Sequence, residues 1–207
     1  IILGGYADYL EISGHNNIEN YSLIFEDGVM TISTWVKIPV EGSGDYGCLI
    51  GGWSGYGYMV YVGGSNFEGN IAFQLGGSGQ NDIFNNELRG TTDLRDGEWH
   101  YITVNYDGNI GNIYIDGILE DSENASGSIS TGAGTPLYIG WPNHGPNENE
   151  AFGGSLNSVE IWDYALSVQE IQNNMSQILN GNETGLAGYW NFNEDIDSND
   201  PGVPSNI

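Results

Sequence analysis

Nine short runs of alternating or β-rich residues, each bounded by glycine, asparagine, aspartate or proline, constrain this chain more than any other feature. They are ADYLEI, MTISTWVKI, YGYMVYVG, NIAFQL, WHYITVNY, GNIYIDG, PLYIGW, SLNSVEIW and LAGYWNF. Alternation sends successive side chains to opposite faces of an extended strand. The separating clusters, among them EGSGDYG, GGSGQND, DGNIG and SGSISTGAGTP, are turn sequences too poor in apolar periodicity for crossover helices. Many strands at short spacing predict an all-β fold, a two-sheet antiparallel jelly-roll β-sandwich, and argue against βαβ units.

The segment DGEWHYITVNYDGNIGNIYIDG, residues 96–117, shows the pattern in detail. Trp99, Tyr101, Thr103 and Asn105 fall on one face, His100, Ile102, Val104 and Tyr106 on the other. Asp107-Gly108-Asn109 supplies a turn, Asn112 to Asp116 returns as the partner strand, and Asp116-Gly117 turns again. One short helix is expected near the C-terminus: Ser167 and Glu170 form a capping box, and Ile171, Met175, Ile178 and Leu179 follow at helical spacing until Gly181.

A chain of 207 residues suits one such domain, read here as 1–194 with a tail or linker at 195–207. Its 28 acidic residues face only Lys37, Arg89 and Arg95, a net charge of −25. Nucleic acid and anionic membranes are excluded as partners, because phosphates need basic side chains to displace their counterions. No apolar run reaches the roughly 18–20 residues of a membrane span, so direct insertion is not expected. Cys48, within GCLIGG, reads as a small core residue. The chain opens at Ile1 without a methionine, which reads as a processed protein or an excised domain.

DGEWHYITVNYDG followed by NIYIDG resembles the central motif of the concanavalin A-like lectin/glucanase superfamily, and more narrowly of its laminin-G-like jelly-roll domains. GGYADYLEI, MTISTWVKI, PLYIGW, FGGSLNSVEIWDYALSVQEI and GLAGYWNF resemble the remaining strands and helix in the expected order, so the likeness covers most of residues 3–193. In such a fold the loops carry specificity.

The resemblance implies three kinds of site. Glucanases of this fold set two carboxylates on one strand, about 5–5.5 Å apart when retaining; Glu160-Ile-Trp-Asp163 is the nearest match and lacks the second glutamate. No catalytic residue is assigned, Trp99-His100 beside Glu98 being read as packing. Laminin-G-like domains often hold Ca²⁺ through carboxylates and carbonyls, hard ligands that this chain has in excess. Asp195-x-Asp197-x-Asn199 departs from a helix-loop-helix calcium loop, with Asp200 in the glycine position and Asn206 in that of the bidentate glutamate. A looser Ca²⁺ site of Asp8 with Glu194 or Asp195 is expected, since jelly-roll topology brings chain ends together. Sugar C–H faces stack on aromatic rings while hydroxyls take polar side chains. Two stretches offer that combination: Trp53, Tyr56 and Tyr58 among glycines, and Trp141 with Asn143, His144 and Asn149. The same aromatics read alternatively as core or edge residues.

The reading is an extracellular or cell-surface noncatalytic module that binds a glycan or glycoprotein with Ca²⁺ assistance, within an adhesin or larger secreted protein. A structural repeat or filament subunit that docks on copies of itself or on neighbouring domains is the first alternative. A glycan hydrolase or lyase is the second.

Overall fold

The computed structural model describes residues 1–4, 9–12, 28–40, 46–51, 57–63, 69–76, 83–84, 87–127, 129, 137–141 and 151–192. They form two antiparallel sheets. One sheet orders β1 (Ile2–Gly4), β12 (Gly153–Trp162), β3 (Met30–Lys37), β8 (Trp99–Tyr106), β9 (Ile110–Ile115) and β10 (Ile118–Asn124), with β13 (Leu186–Asn191) also on β12. The other orders β2 (Leu10–Ile12), β11 (Leu137–Ile139), β4 (Tyr46–Gly51), β5 (Gly57–Gly63), β6 (Ile71–Gly76) and β7 (Leu88–Arg89). This is the jelly-roll sandwich that the alternation predicts.

The turn chemistry acts as read. Asp107 Oδ1 accepts the N–H groups of Asn109 and Ile110 at 2.8 and 2.7 Å, which bends β8 into β9. Asp116 and Gly117, both at positive φ (51° and 71°), turn β9 into β10. The Asp116 carboxylate also accepts Tyr101 N–H at 2.8 Å, tying the turn to β8. Ser167 and Glu170 make the expected reciprocal cap on α1 (Val168–Asn174).

Between the sheets, Met30, Ile32 and Val36 of β3 and Ile102, Val104 and Tyr106 of β8 meet Val60, Val62, Ile71, Phe73 and Leu75 of β5 and β6. Gly111 allows a close approach: a Cβ there would lie 2.2 Å from the ring of buried Phe84. A second, smaller core covers the outer face of the seven-stranded sheet. There Tyr101 and Trp162 pack with Leu166, Ile171 and Leu179, flanked by Trp35, Tyr114, Met175 and Tyr189. The two faces of β8 separate as the sequence predicts, yet Tyr101, Thr103 and Asn105 are buried as well, because α1 and its flanking segment cross over them. Asn105 Nδ2 donates to Leu166 O, and Leu166 N–H to Thr31 Oγ1, each at 2.9 Å, fixing that crossing.

β1 and β13 lie end to end along one edge of β12. Leu156 N–H donates to Ile1 O and Phe192 N–H to Asn157 O, both at 2.9 Å. β1 then leads away from Phe192, pairing Ile2 with Ser155 and Gly4 with Gly153.

Candidate functional site

The outer face of the six-stranded sheet carries an aromatic corner. Leu10 and Ile12 point toward the core, as do Leu137 and Ile139, so period two turns Tyr9 and Tyr138 outward. Trp141 follows Gly140, whose N–H donates to Leu49 O at 2.9 Å and so anchors the end of β11 on β4. The rings of Tyr9 and Trp141 lie 4.9 Å apart, tilted by 31°. Tyr138 meets both edge-on, at 5.7 and 5.6 Å. Tyr138 is buried, Trp141 half-buried, and Tyr9 40% exposed. The buried ring holds the two outer ones in place, and edge-to-face contacts of this kind add about 0.5–1.5 kcal/mol beyond area burial. The result is a preorganised apolar surface, suited to the C–H face of a ring-shaped ligand.

Across the same sheet, on its far edge, Arg89 is fully committed to the protein. Its guanidinium contacts Glu87 Oε1 at 2.5 Å, donates to Gly63 O at 2.7 Å and lies over the Tyr61 ring at 5.4 Å. Tyr61 OH bonds the other Glu87 oxygen.

The carboxylates that most resemble catalytic groups are occupied. Glu160 is 3% exposed; it accepts Tyr101 OH at 2.9 Å and lies 3.4 Å from Trp162 Nε1, within the second core. Burial pushes its carboxyl up to about 7 against the pull of those two donors. Asp163, its counterpart in sequence, is exposed beyond the strand end. Neither stands in a cleft with the other. His100 has both ring nitrogens on carboxylates, Nδ1 with Asp116 at 2.8 Å and Nε2 with Asp96 at 3.1 Å. Burial draws its basicity down, but the two acidic partners outweigh it and hold it above the ordinary histidine value. His100 therefore clamps two turns and leaves no nitrogen for a substrate.

Of the residues that the sequence singled out, Trp141 stands in the aromatic corner. Tyr58 does not meet the expectation of a ligand face: it is 8% exposed and belongs to the main core, because position 58 of β5 turns inward with Val60 and Val62. Its hydroxyl is pushed upward by burial. Trp53, Tyr56, Asn143, His144, Asn149, Asp8, Glu194, Asp195 and the 195–207 tail lie outside the described residues. β4 and β11 run antiparallel, so Gly51 at the end of β4 and Trp141 just past β11 lie toward opposite ends of the pair. Among the described residues, no three of His, Cys, Asp and Glu gather as a metal cluster. Tyr9 and Tyr138 were missed by sequence reasoning. Alternation in ADYLEI and PLYIGW gives their shared parity, but not that their rings meet Trp141 at one corner.

Geometry alone defines a jelly-roll sandwich with an aromatic outer corner. A laminin-G family model described as "Concanavalin A-like lectin/glucanases superfamily" matches residues 4–172, and the chain belongs to that superfamily. It is 26% identical over 154 residues to the Sushi, von Willebrand factor type A, EGF and pentraxin domain-containing protein 1 of Rattus norvegicus, covering 70% of this chain and 4% of that protein. The chain thus spans a small fraction of the curated relative. Among solved structures, it is similar to a putative carbohydrate binding protein from Bacteroides ovatus (TM-score 0.68, 16% identity, 91% of this chain and 50% of that one). It is also similar to domain 4 of AbnA, an extracellular arabinanase from Geobacillus stearothermophilus in complex with arabinotriose (TM-score 0.52, 18% identity, 75% and 67%). No helix among the described residues is long and apolar enough to cross a membrane, which leaves strands unaddressed.

Proposed function

We propose that this chain is a noncatalytic recognition module, extracellular or cell-surface, that binds a glycan or glycoprotein at the corner formed by Tyr9, Tyr138 and Trp141. The observation that carries the reading is the half-open ring pair of Tyr9 and Trp141 braced by buried Tyr138. Rings fixed before binding lose little conformational freedom when a ligand stacks on them. Asn143, His144 and Asn149, which follow Trp141 in sequence, are the polar side chains proposed to meet ligand hydroxyls. The burial of Glu160 and the double clamp on His100 support a binding role over hydrolysis. Membership of a superfamily that includes lectins, and likeness to a putative carbohydrate binding protein, agree with it.

A glycan-array screen followed by titration of the best ligand tests the reading. Trp141→Ala and Tyr9→Ala are each expected to weaken binding at least tenfold, about 1.4 kcal/mol, with the melting temperature lowered only by the few degrees that the lost ring contacts contribute. Unchanged affinity in both variants would place the site elsewhere. Ca²⁺ held by Asp8 with Glu194 or Asp195 is part of the proposal; melting should rise on adding Ca²⁺ and fall again with chelator. Polymers on size exclusion without sugar, together with an empty array, would favour the self-assembling alternative.

A further inference from the structure

We infer that Asn180 is the deamidation site of this domain and that the Glu183 carboxylate guards it by holding the Gly181 N–H. The reaction is an internal cyclisation. The Gly181 backbone nitrogen gives up its proton and bonds to Cγ of Asn180, the Cγ–Nδ2 bond breaks, and ammonia carries away the side-chain nitrogen. Water then opens the five-membered succinimide at either carbonyl, leaving aspartate or iso-aspartate. Glycine, with no Cβ, crowds this ring less than any other following residue. Asn180-Gly181 is the one Asn-Gly pair in the sequence. Both residues are exposed, in the turn between α1 and β13, so water reaches them.

The folded turn opposes the attack at its first atom. Glu183 Oε1 accepts the Asn180 N–H at 2.6 Å, and Oε2 accepts the Gly181 N–H at 2.9 Å. Successive N–H groups converging on one anion, with Gly181 at a φ of 81°, make a small nest whose anion the chain itself supplies. The charge-assisted bond has to break before the Gly181 nitrogen can lose its proton. A carboxylate beside that nitrogen also raises the energy of the negative charge that proton loss leaves there. The Asn180 N–H, with its neighbours in the turn, holds the Glu183 carboxyl below the ordinary glutamate range, so the guard stays ionised at neutral pH. Leu186 N–H donates to Glu183 O at 3.1 Å, which ties the same residue to the start of β13.

Position gives the modification its consequence. Leu179, immediately before Asn180, is buried in the second core, and Leu186 pairs with Trp162. Iso-aspartate inserts one more backbone carbon between these two anchors, and either product adds a negative charge to the turn that Glu183 braces.

Incubating the folded parent, the parent in denaturant, Glu183→Ala and Glu183→Gln in mildly alkaline buffer tests the inference, with peptide mass spectrometry reading aspartate and iso-aspartate at Asn180. The folded parent is expected to convert about tenfold or more slowly than the denatured one, the factor that one charge-assisted hydrogen bond sets on a rate. Glu183→Ala should approach the denatured rate, and Glu183→Gln, which keeps an acceptor but no charge, should fall between. Melting curves establish that the variants are folded during incubation, and the comparison of folded with denatured parent stands even where a variant is not. Equal rates in folded and denatured parent would overturn the guard, as would folded Glu183 variants that convert at the parent's rate or more slowly. An Asn180 that stays intact even in the denatured chain would overturn the site itself.

Discussion

Replacing Glu160 with glutamine should stabilise the protein above neutral pH and change little in mild acid. The carboxyl is enclosed by Tyr101 and Trp162, and burial raises it from an ordinary 4.5 to about 7. Between those values the folded state keeps a proton that the unfolded chain has released. Its stabilising contribution is therefore complete below about pH 4.5, falls as pH rises and is gone above about 7. The interval corresponds to about 3 kcal/mol at 1.36 kcal/mol per pH unit. For a chain of this length that is about 6–12 °C in melting temperature, at 2–4 °C per kcal/mol. Glutamine keeps an acceptor for Tyr101 and has no charge to desolvate. Thermal melts of parent and Glu160→Gln across about pH 4–9 give a difference curve in which the other carboxylates, common to both, cancel. The difference should grow in favour of the variant through the interval and level off above it. Parallel melting curves at all pH values would refute a buried acid that changes its protonation on folding.

Gly111→Ala is expected to cost about 1–3 kcal/mol, because the new methyl would lie 2.2 Å from the Phe84 ring in a packed core; denaturant unfolding reads the loss directly. Ser167→Ala removes the hydroxyl that caps α1 and should cost about 1 kcal/mol, with the melting temperature falling accordingly. His100 should titrate above the ordinary 6.5 in an NMR pH series, a midpoint at or below that value being the contrary result. Because its folded value is raised, the clamp contributes stability fully below the unfolded value and loses it as pH rises through the folded one; His100→Gln should remove that component of the pH dependence.

The architecture was legible wherever local chemistry dominates. Alternation located β2, β3, β5, β6, β8, β9, β11, β12 and β13, and Ser167 with Glu170 marked the start of α1. Strands that break the apolar pattern were not. β10, with Glu120, Asp121 and Glu123, reads as a charged loop because an edge strand tolerates charge that a central strand does not, and Glu120 accepts from Thr91 and Thr92 instead of packing. β7 is two residues long, and β1 precedes the first recognised run. The second core was invisible for a different reason: burial of Tyr101 and Glu160 depends on α1 and β13 returning from far along the chain. Among the candidate aromatics, residue type singled out Trp141, which stands in the aromatic corner. Tyr58 was misplaced because its neighbours Met59 and Tyr61 give no sign in sequence of which parity faces the core.

The end-to-end arrangement of β1 and β13 along β12 has a kinetic consequence. Ile2 pairs with Ser155, so the first strand has no partner in this sheet until about 150 more residues have been made. At about 5–20 residues per second that wait is roughly 8–30 s, during which an apolar strand edge remains unsatisfied. β3 also waits for β12, and β13 closes the same strand last. Completion of the seven-stranded sheet is thus gated by the arrival of a single late strand. A chain this dependent on distant pairing should fold slowly for its size, and the nascent first strand is where an encounter with another copy is most damaging.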